Sequence, residues 1–243
     1  MKTHESPSLK PGAVQIAGVM DQEEADLVMA CGADLLGFPL RLAVHKEDLP
    51  EAEAGKIIRR LPPSCPGVII TYLEKAEDII AFCRALGARY IQLHGGLSTE
   101  DAARLREQDP GLFVIKSLVV RSGNEAQLEA DVRRLEPHVN AFITDTFDPS
   151  TGASGATGKT HDWRVSTDLV RASARPVILA GGLTPDNVYE AVLRVRPAGV
   201  DAHTGVEGPD GRKVEARVRR FVSEARRAFA ALSWGGSCDG VVI

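Results

Sequence analysis

Residues 176–206 read PVILAGGLTPDNVYEAVLRVRPAGVDAHTGV, and their pattern decides the fold. Two short apolar runs, 176–183 and 199–206, flank a segment of helical character over 185–195 that opens at Pro185. Runs of this length, rich in branched side chains and bounded by Gly, Pro, Asp or Thr, are what strands buried on both faces require. A strand, a helix and a second such strand make one unit of a parallel sheet.

The same alternation extends to both sides. Apolar runs at 14–19, 35–40, 68–73, 90–94, 113–120 and 141–147 complete a set of eight predicted strands. Helical periodicity fills the gaps: 23–31 sets Ala25, Val28 and Met29 on one face, and 74–86 does the same with Ile79, Ile80, Phe82 and Cys83. Further helices are predicted at 51–60, 99–108, 125–135, 163–172 and 214–231. Eight strands alternating with eight helices predict an α/β fold, a single (β/α)8 TIM barrel with a closed parallel sheet over 13–232. Residues 1–12 read as a flexible N-terminal lead and 233–243 as a C-terminal tail. An open doubly wound sheet would carry a glycine fingerprint after its first strand, and none follows 14–19.

Composition narrows the partners. A net charge of -4 argues against nucleic acid or an anionic membrane surface, and 5% aromatics are too few for a base-stacking platform. No apolar stretch approaches the ~20 residues that span a bilayer, and the polar start of the chain does not read as a secretory signal. Cys31, Cys65, Cys83 and Cys238 are widely spaced, unlike a disulfide scaffold or zinc knuckle. These features predict a reduced, cytoplasmic protein acting on a small molecule.

In such a barrel the chemistry belongs to the loops that follow the strands, with phosphate often held after the seventh and eighth. Gly181 and Gly182 lie at the end of the seventh predicted strand, and Thr204 and Gly205 close the eighth; glycine lets backbone N–H groups approach an oxyanion closely. The stretch 152–159, rich in Gly, Ser and Thr and ending in Gly158 and Lys159, suits a loop folding over a phosphorylated substrate, although its spacing is not that of a P-loop. Asp145 ends an otherwise apolar strand, where a carboxyl can serve as a general acid or merely cap a loop. His94 ends the fourth strand, as a catalyst or as a hydrogen-bonded structural residue.

Taken in order, these motifs resemble phosphoribosylanthranilate isomerase. The matching stretches are Gly32-Ala33-Asp34 with Gly37-Phe38, Gln92-Leu93-His94-Gly95, Ala156-Thr157-Gly158-Lys159-Thr160 with Asp162-Trp163, Leu179-Ala180-Gly181-Gly182-Leu183 with Pro185 and Asn187-Val188, and Val200-Asp201 with Gly205-Val206-Glu207. They span about residues 14 to 225. The resemblance implies an Amadori-type aldose–ketose isomerisation in tryptophan biosynthesis, without metal or cofactor, and a homodimer as one possible state. It implies Asp145 as the acid that opens the sugar ring. It also implies a phosphate held by Gly181, Gly182, His203, Thr204 and Gly205.

The resemblance breaks at the other end of the site. Where the family has a cysteine base at the end of its first strand, this chain has Ala17, between Ile16 and Gly18. The family's Ser-Pro-Arg after the second strand is replaced by residues 41–48, the family's Ser in the eighth-strand loop by His203, and its Phe after Gly-Lys-Thr by His161. Asp21, His45 and His203 are the candidate substitute bases; Arg41, Lys46 and Gln92 are the candidate substrate contacts. Two other classes stay open. One is a metal-dependent epimerase or aldolase, with ligands among His45, His94, His203, Asp145 and Asp148. The other is a non-catalytic phosphosugar-binding barrel.

Overall fold

The computed structural model describes residues 7–42, 47, 49–148, 153–154 and 160–235. Its strands are β1 (Ala13–Ala17), β2 (Leu35–Pro39), β3 (Gly67–Thr71), β4 (Tyr90–Leu93), β5 (Phe113–Val120), β6 (Ala141–Asp148), β7 (Val177–Leu179) and β8 (Gly199–Ala202). Each pairs in parallel with the next. The sheet closes where β8 returns to β1, with Val14 opposite Val200 and Gln15 opposite Asp201. The TIM barrel expected from the alternation is the observed fold. A two-residue ribbon, Ala153–Ser154, folds back antiparallel on the end of β6.

Among the described residues, eight α-helices cover the outside: α1 (Gln22–Ala30), α2 (Glu51–Arg60), α3 (Ala76–Leu86), α4 (Thr99–Gln108), α5 (Glu125–Leu135), α6 (Trp163–Ala172), α7 (Val188–Val195) and α8 (Glu215–Gly235). In α8, Val218, Phe221, Val222, Ala225 and Ala228 are buried, the spacing that gives one helical face to the barrel wall. That helix runs on through Gly235, into the stretch read as a tail.

Alternate strand residues divide the apolar side chains into two cores. Ala17, Val68, Ile70, Phe113, Ile115 and Ile143 belong to the cluster that fills the barrel. Ile16, Leu36, Phe38, Ile69, Ile91 and Phe142 belong to the larger cluster shared with the helices. Leu9 packs against the inner cluster, and the Tyr90 hydroxyl donates to the Ser8 carbonyl while accepting from the Ser8 N–H. Residues read as a lead therefore lie against the N-terminal end of the barrel.

The last two strands are shorter than their apolar runs predict, and the reason is local backbone geometry. β7 ends at Leu179 because Gly181 and Gly182 take φ of 98° and 63°, a left-handed path that a strand cannot follow. β8 ends at Ala202 and gives way to a 3-10 turn over Thr204–Val206.

Candidate active site

The C-terminal mouth of the barrel carries an inward-facing polar set from four strands. On the middle rung, Gln15 Nε2 donates to Gln92 Oε1 at 2.9 Å. Gln92 Nε2 lies 2.8 Å from His94 Nε2. An amide N–H can only donate, so His94 accepts at Nε2 and carries its ring proton on Nδ1. That nitrogen lies 3.2 Å from Asp145 Oδ2, with both side chains 7% exposed. Neither atom has an aligned hydrogen-bond partner among the described residues. The other carboxylate oxygen, Oδ1, accepts the Thr146 N–H at 2.8 Å. His94 also stacks at a tilt on Tyr72, ring centroids 5.6 Å apart.

Below this pair lies Asp201. Burial pushes its carboxyl up to about 6; His203, a hydrogen bond with Gln15 and His94 work against the rise, and Asp145 adds to it. Lys116 is buried beside the end of β4, its ammonium donating to the carbonyls of Leu93 and Ser117 at 3.1 and 2.7 Å. Burial brings that ammonium down to about 8.

The rim beside these strands is built from backbone. A Cβ on Gly205 would overlap the Leu183 carbonyl oxygen, so the loops after β7 and β8 touch through main chain. A Cβ on Gly181 would overlap Thr146 Oγ1 and crowd His161. His161 itself bridges Thr146 Oγ1 at 2.9 Å and the buried Ser166 Oγ at 2.5 Å. Burial pulls its imidazole down to about 4, so it is neutral at pH 7. The Asn187 side chain ties this loop together by donating to the Gly182 carbonyl and accepting the Thr184 N–H.

A family model for N-(5'-phosphoribosyl)anthranilate (PRA) isomerase matches residues 11–224. The chain belongs to this isomerase family. It is 36% identical over 217 residues to the N-(5'-phosphoribosyl)anthranilate isomerase 2 of Methanosarcina mazei, covering 89% of this chain and 95% of the relative. It is 37% identical to the isomerase of Haloferax volcanii, covering 90% and 95%. The phosphoribosyl anthranilate isomerase structure from Thermotoga maritima superposes with a TM-score of 0.75 at 29% identity, covering 89% of this chain and 99% of that one. A further isomerase structure, holding reduced 1-(o-carboxyphenylamino)-1-deoxyribulose 5-phosphate, superposes at 0.73 with 27% identity over 89% and 99% of the two chains. Another structure of the Thermotoga protein describes monomers made from a dimeric isomerase.

Against the family pattern, the predicted site residues separate into three groups. Asp145, His94 and Gln92 form one connected set, and His203, Thr204, Gly205, Gly181 and Gly182 lie on the adjoining rim. Arg41 and Asp21 are engaged elsewhere. The Arg41 guanidinium pairs with Glu51 at 2.8 Å and lies 3.9 Å from the centroid of the Phe82 ring, against the outer helices. Asp21 caps α1 through the Glu24 N–H and pairs with Arg212 at 2.7 Å. Burial opposes its ionisation, but these partners hold its carboxyl below the ordinary range. His45, Lys46, Asp148, Gly158 and Lys159 lie outside the described side chains. Among the described residues, no group of three or more His, Cys, Asp or Glu side chains is arranged to hold a metal ion. The family relation favours the isomerase over the metal-dependent alternative.

Gln15, Tyr72, Asp201 and Lys116 were not singled out by the sequence reading. For Gln15 and Asp201 the signal is an inward polar residue in an apolar strand, readable only once the inward positions are known. Lys116 alternates with the inward Phe113 and Ile115 and lies on the helix-facing side of β5. The three described cysteines are free and buried. Burial pushes the thiols of Cys65 and Cys83 up to about 12, so neither supplies a thiolate at neutral pH. No helix among the described residues is long and apolar enough to cross a membrane.

Proposed function

We propose that this chain isomerises N-(5'-phosphoribosyl)anthranilate to 1-(o-carboxyphenylamino)-1-deoxyribulose 5-phosphate, with Asp145 as the general acid. The observation that carries the reading is the Asp145–His94 pair, buried at the barrel mouth beside a rim of backbone amides. Asp145 gives its proton to the ribose ring oxygen as the C1–O bond breaks, leaving an iminium between C1 and the aryl nitrogen. The carboxylate that remains is met by His94 Nδ1–H and the Thr146 N–H, which favours the charge developing in that step. Gln92 keeps His94 in the tautomer that allows this. Loss of the C2 proton then gives an enaminol, and its tautomerisation yields the ketone.

The phosphate is held by Gly181, Gly182, Thr204 and Gly205, where main-chain N–H groups approach without side chains between them. Gly158 and Lys159 contribute from the loop after β6. The substrate and product are soluble phosphorylated compounds, and the reduced cysteines agree with a cytoplasmic enzyme. The test is turnover of N-(5'-phosphoribosyl)anthranilate by the purified protein, followed as appearance of the ketose phosphate. Binding of the reduced product analogue without turnover would instead favour a non-catalytic phosphosugar-binding barrel.

A further inference from the structure

Aldose–ketose isomerisation needs a proton acceptor as well as a donor, and the end of β1 offers none: Ala17 presents only a methyl group. The neighbouring Gly18 is met by His203, from the loop after β8. Gly18, at φ 78°, has no side chain, and a Cβ there would overlap His203 Nε2. The imidazole of His203 therefore lies across the end of β1, on the wall of the mouth from which a thiol is missing.

That imidazole is held by a built chain of charge. His203 Nε2 lies 3.2 Å from Glu207 Oε1, with the histidine side chain 22% exposed. Lys213 Nζ, 0% exposed, grips the same carboxylate oxygen at 2.6 Å. The Lys213 N–H donates to Glu24 Oε1 at 2.7 Å, and Glu24 Oε2 accepts the Met20 N–H at 2.8 Å. The chain thus joins the loop after β8 to the loop after β1 and fixes His203 between them. Burial opposes ionisation of Glu207, yet His203 and Lys213 hold its carboxyl down at about 2, so it stays an anion behind the ring. The Asp201 carboxyl, two residues before His203, feels the charges of His203, Asp145 and His94.

We propose that His203, positioned by Glu207 and Lys213, accepts the C2 proton of the substrate. The inference rests on the isomerase reading above and supplies its second group. The C2–H electron pair becomes the C1–C2 double bond as the iminium π pair moves to nitrogen. The proton goes to the imidazole, and Glu207 stabilises the imidazolium. In the following tautomerisation the enol O–H is lost and C1 gains a hydrogen, so no further reagent is consumed.

The experiment measures kcat, KM and pH dependence for wild type, His203→Ser, His203→Gln and Glu207→Gln. Binding of the reduced product analogue and thermal midpoints are followed in parallel. His203→Ser and His203→Gln are expected to lower kcat by roughly 10²–10⁴-fold with KM and analogue binding little changed. Substrate deuterated at C2 should turn over several-fold more slowly than the protiated compound in the wild type. The acid limb of kcat/KM should move to lower pH in Glu207→Gln, which loses the anion facing the ring. Asp201, Asp145 and His94, the other titratable groups around the ring, are unaltered in that variant. The double variant Ala17→Cys/His203→Ser should recover activity, with the acid limb displaced toward a thiol. Full kcat in either His203 variant, with the acid limb unmoved by Glu207→Gln, overturns the role of His203 and leaves the isomerase reading standing. Absence of turnover in the wild type overturns both. Should His203→Ser fail to fold, the Glu207→Gln pH shift and the His203→Gln rates decide the matter.

Discussion

Asp34 and Asp201 are both 9% exposed, on opposite ends of the same barrel, and their surroundings treat them in opposite ways. At the N-terminal end Asp34 accepts the Val14 N–H at 2.8 Å, pairs with Lys10 at 3.0 Å and meets the Arg226 guanidinium. Burial works against its ionisation, but these donors win and its carboxyl is held below the ordinary range. At the C-terminal end Asp201 Oδ1 has no hydrogen-bond partner among the described residues, and burial raises the carboxyl to about 6. Equal burial therefore does not set protonation; the donors supplied around each carboxyl do. One end of the barrel ties its charges off for stability, and the other leaves them incompletely paired for chemistry.

Breaking the comparison at its reactive end should give the largest effect. Asp145→Asn keeps the shape of the side chain and removes the transferable proton. Turnover of N-(5'-phosphoribosyl)anthranilate is expected to fall by about 10³-fold, about 4 kcal/mol of barrel-mouth catalysis, with the thermal midpoint within a few degrees of wild type. A large drop in midpoint would place Asp145 with Asp34, among the groups that hold the fold.

At the other end, Asp34→Ala leaves Arg226 and the Val14 N–H without their acceptor. Urea unfolding should show a loss of about 2–3 kcal/mol, while kcat and KM measured on the folded fraction stay within about twofold. Lost activity without lost stability would erase the division between the two ends.

The smallest effect concerns pH. Folded Asp201 keeps its proton up to about 6, whereas the unfolded chain releases it near the ordinary value of 3.8. The native state binds more protons in that window, so this group's contribution to stability falls as pH rises from about 4 through 6. Asp201→Asn removes the fall, and its stability relative to wild type should improve by about 1–3 kcal/mol between pH 4 and pH 7. Asp34 acts with the opposite sign, since its lowered value adds stability that is lost as pH falls. Urea midpoints at the two pH values check both directions; parallel curves for Asp201→Asn and wild type would deny the raised value.

Much of this architecture was legible in the residue order. The strands and helices came from apolar runs and helical periodicity, which are local properties. The larger differences are the strand ends at Leu179 and Ala202, the start of α7 at Val188 rather than Pro185, and the end of α8 at Gly235 rather than 231. At β7 a positive φ at Gly181 and at β8 a 3-10 turn from Thr204 cut the ladder short, although the apolar Leu183 and Val206 follow. Among the candidate site residues, Asp145 and His94 were recognisable as polar residues at the ends of apolar strands, and Gln92 through the resemblance carried by Gln92-Leu93-His94-Gly95. Arg41 was grouped with them from its place after β2, yet its guanidinium faces Glu51 and Phe82 on the helical layer. Sequence position gave its loop but not its direction.

By itself, then, the sequence determined a closed parallel barrel, its mouth, and the glycine rim beside it, because periodicity and glycine placement act over a few residues. Tertiary structure alone decided how the polar groups meet. Gln15 reaches Gln92 across 77 residues of chain, and Lys213 reaches Glu24 across 189. His203 lies over Gly18 only because β8 closes on β1. Protonation follows from such distant contacts, so the shift at Asp201 and the grip on His203 appear only when the barrel has closed.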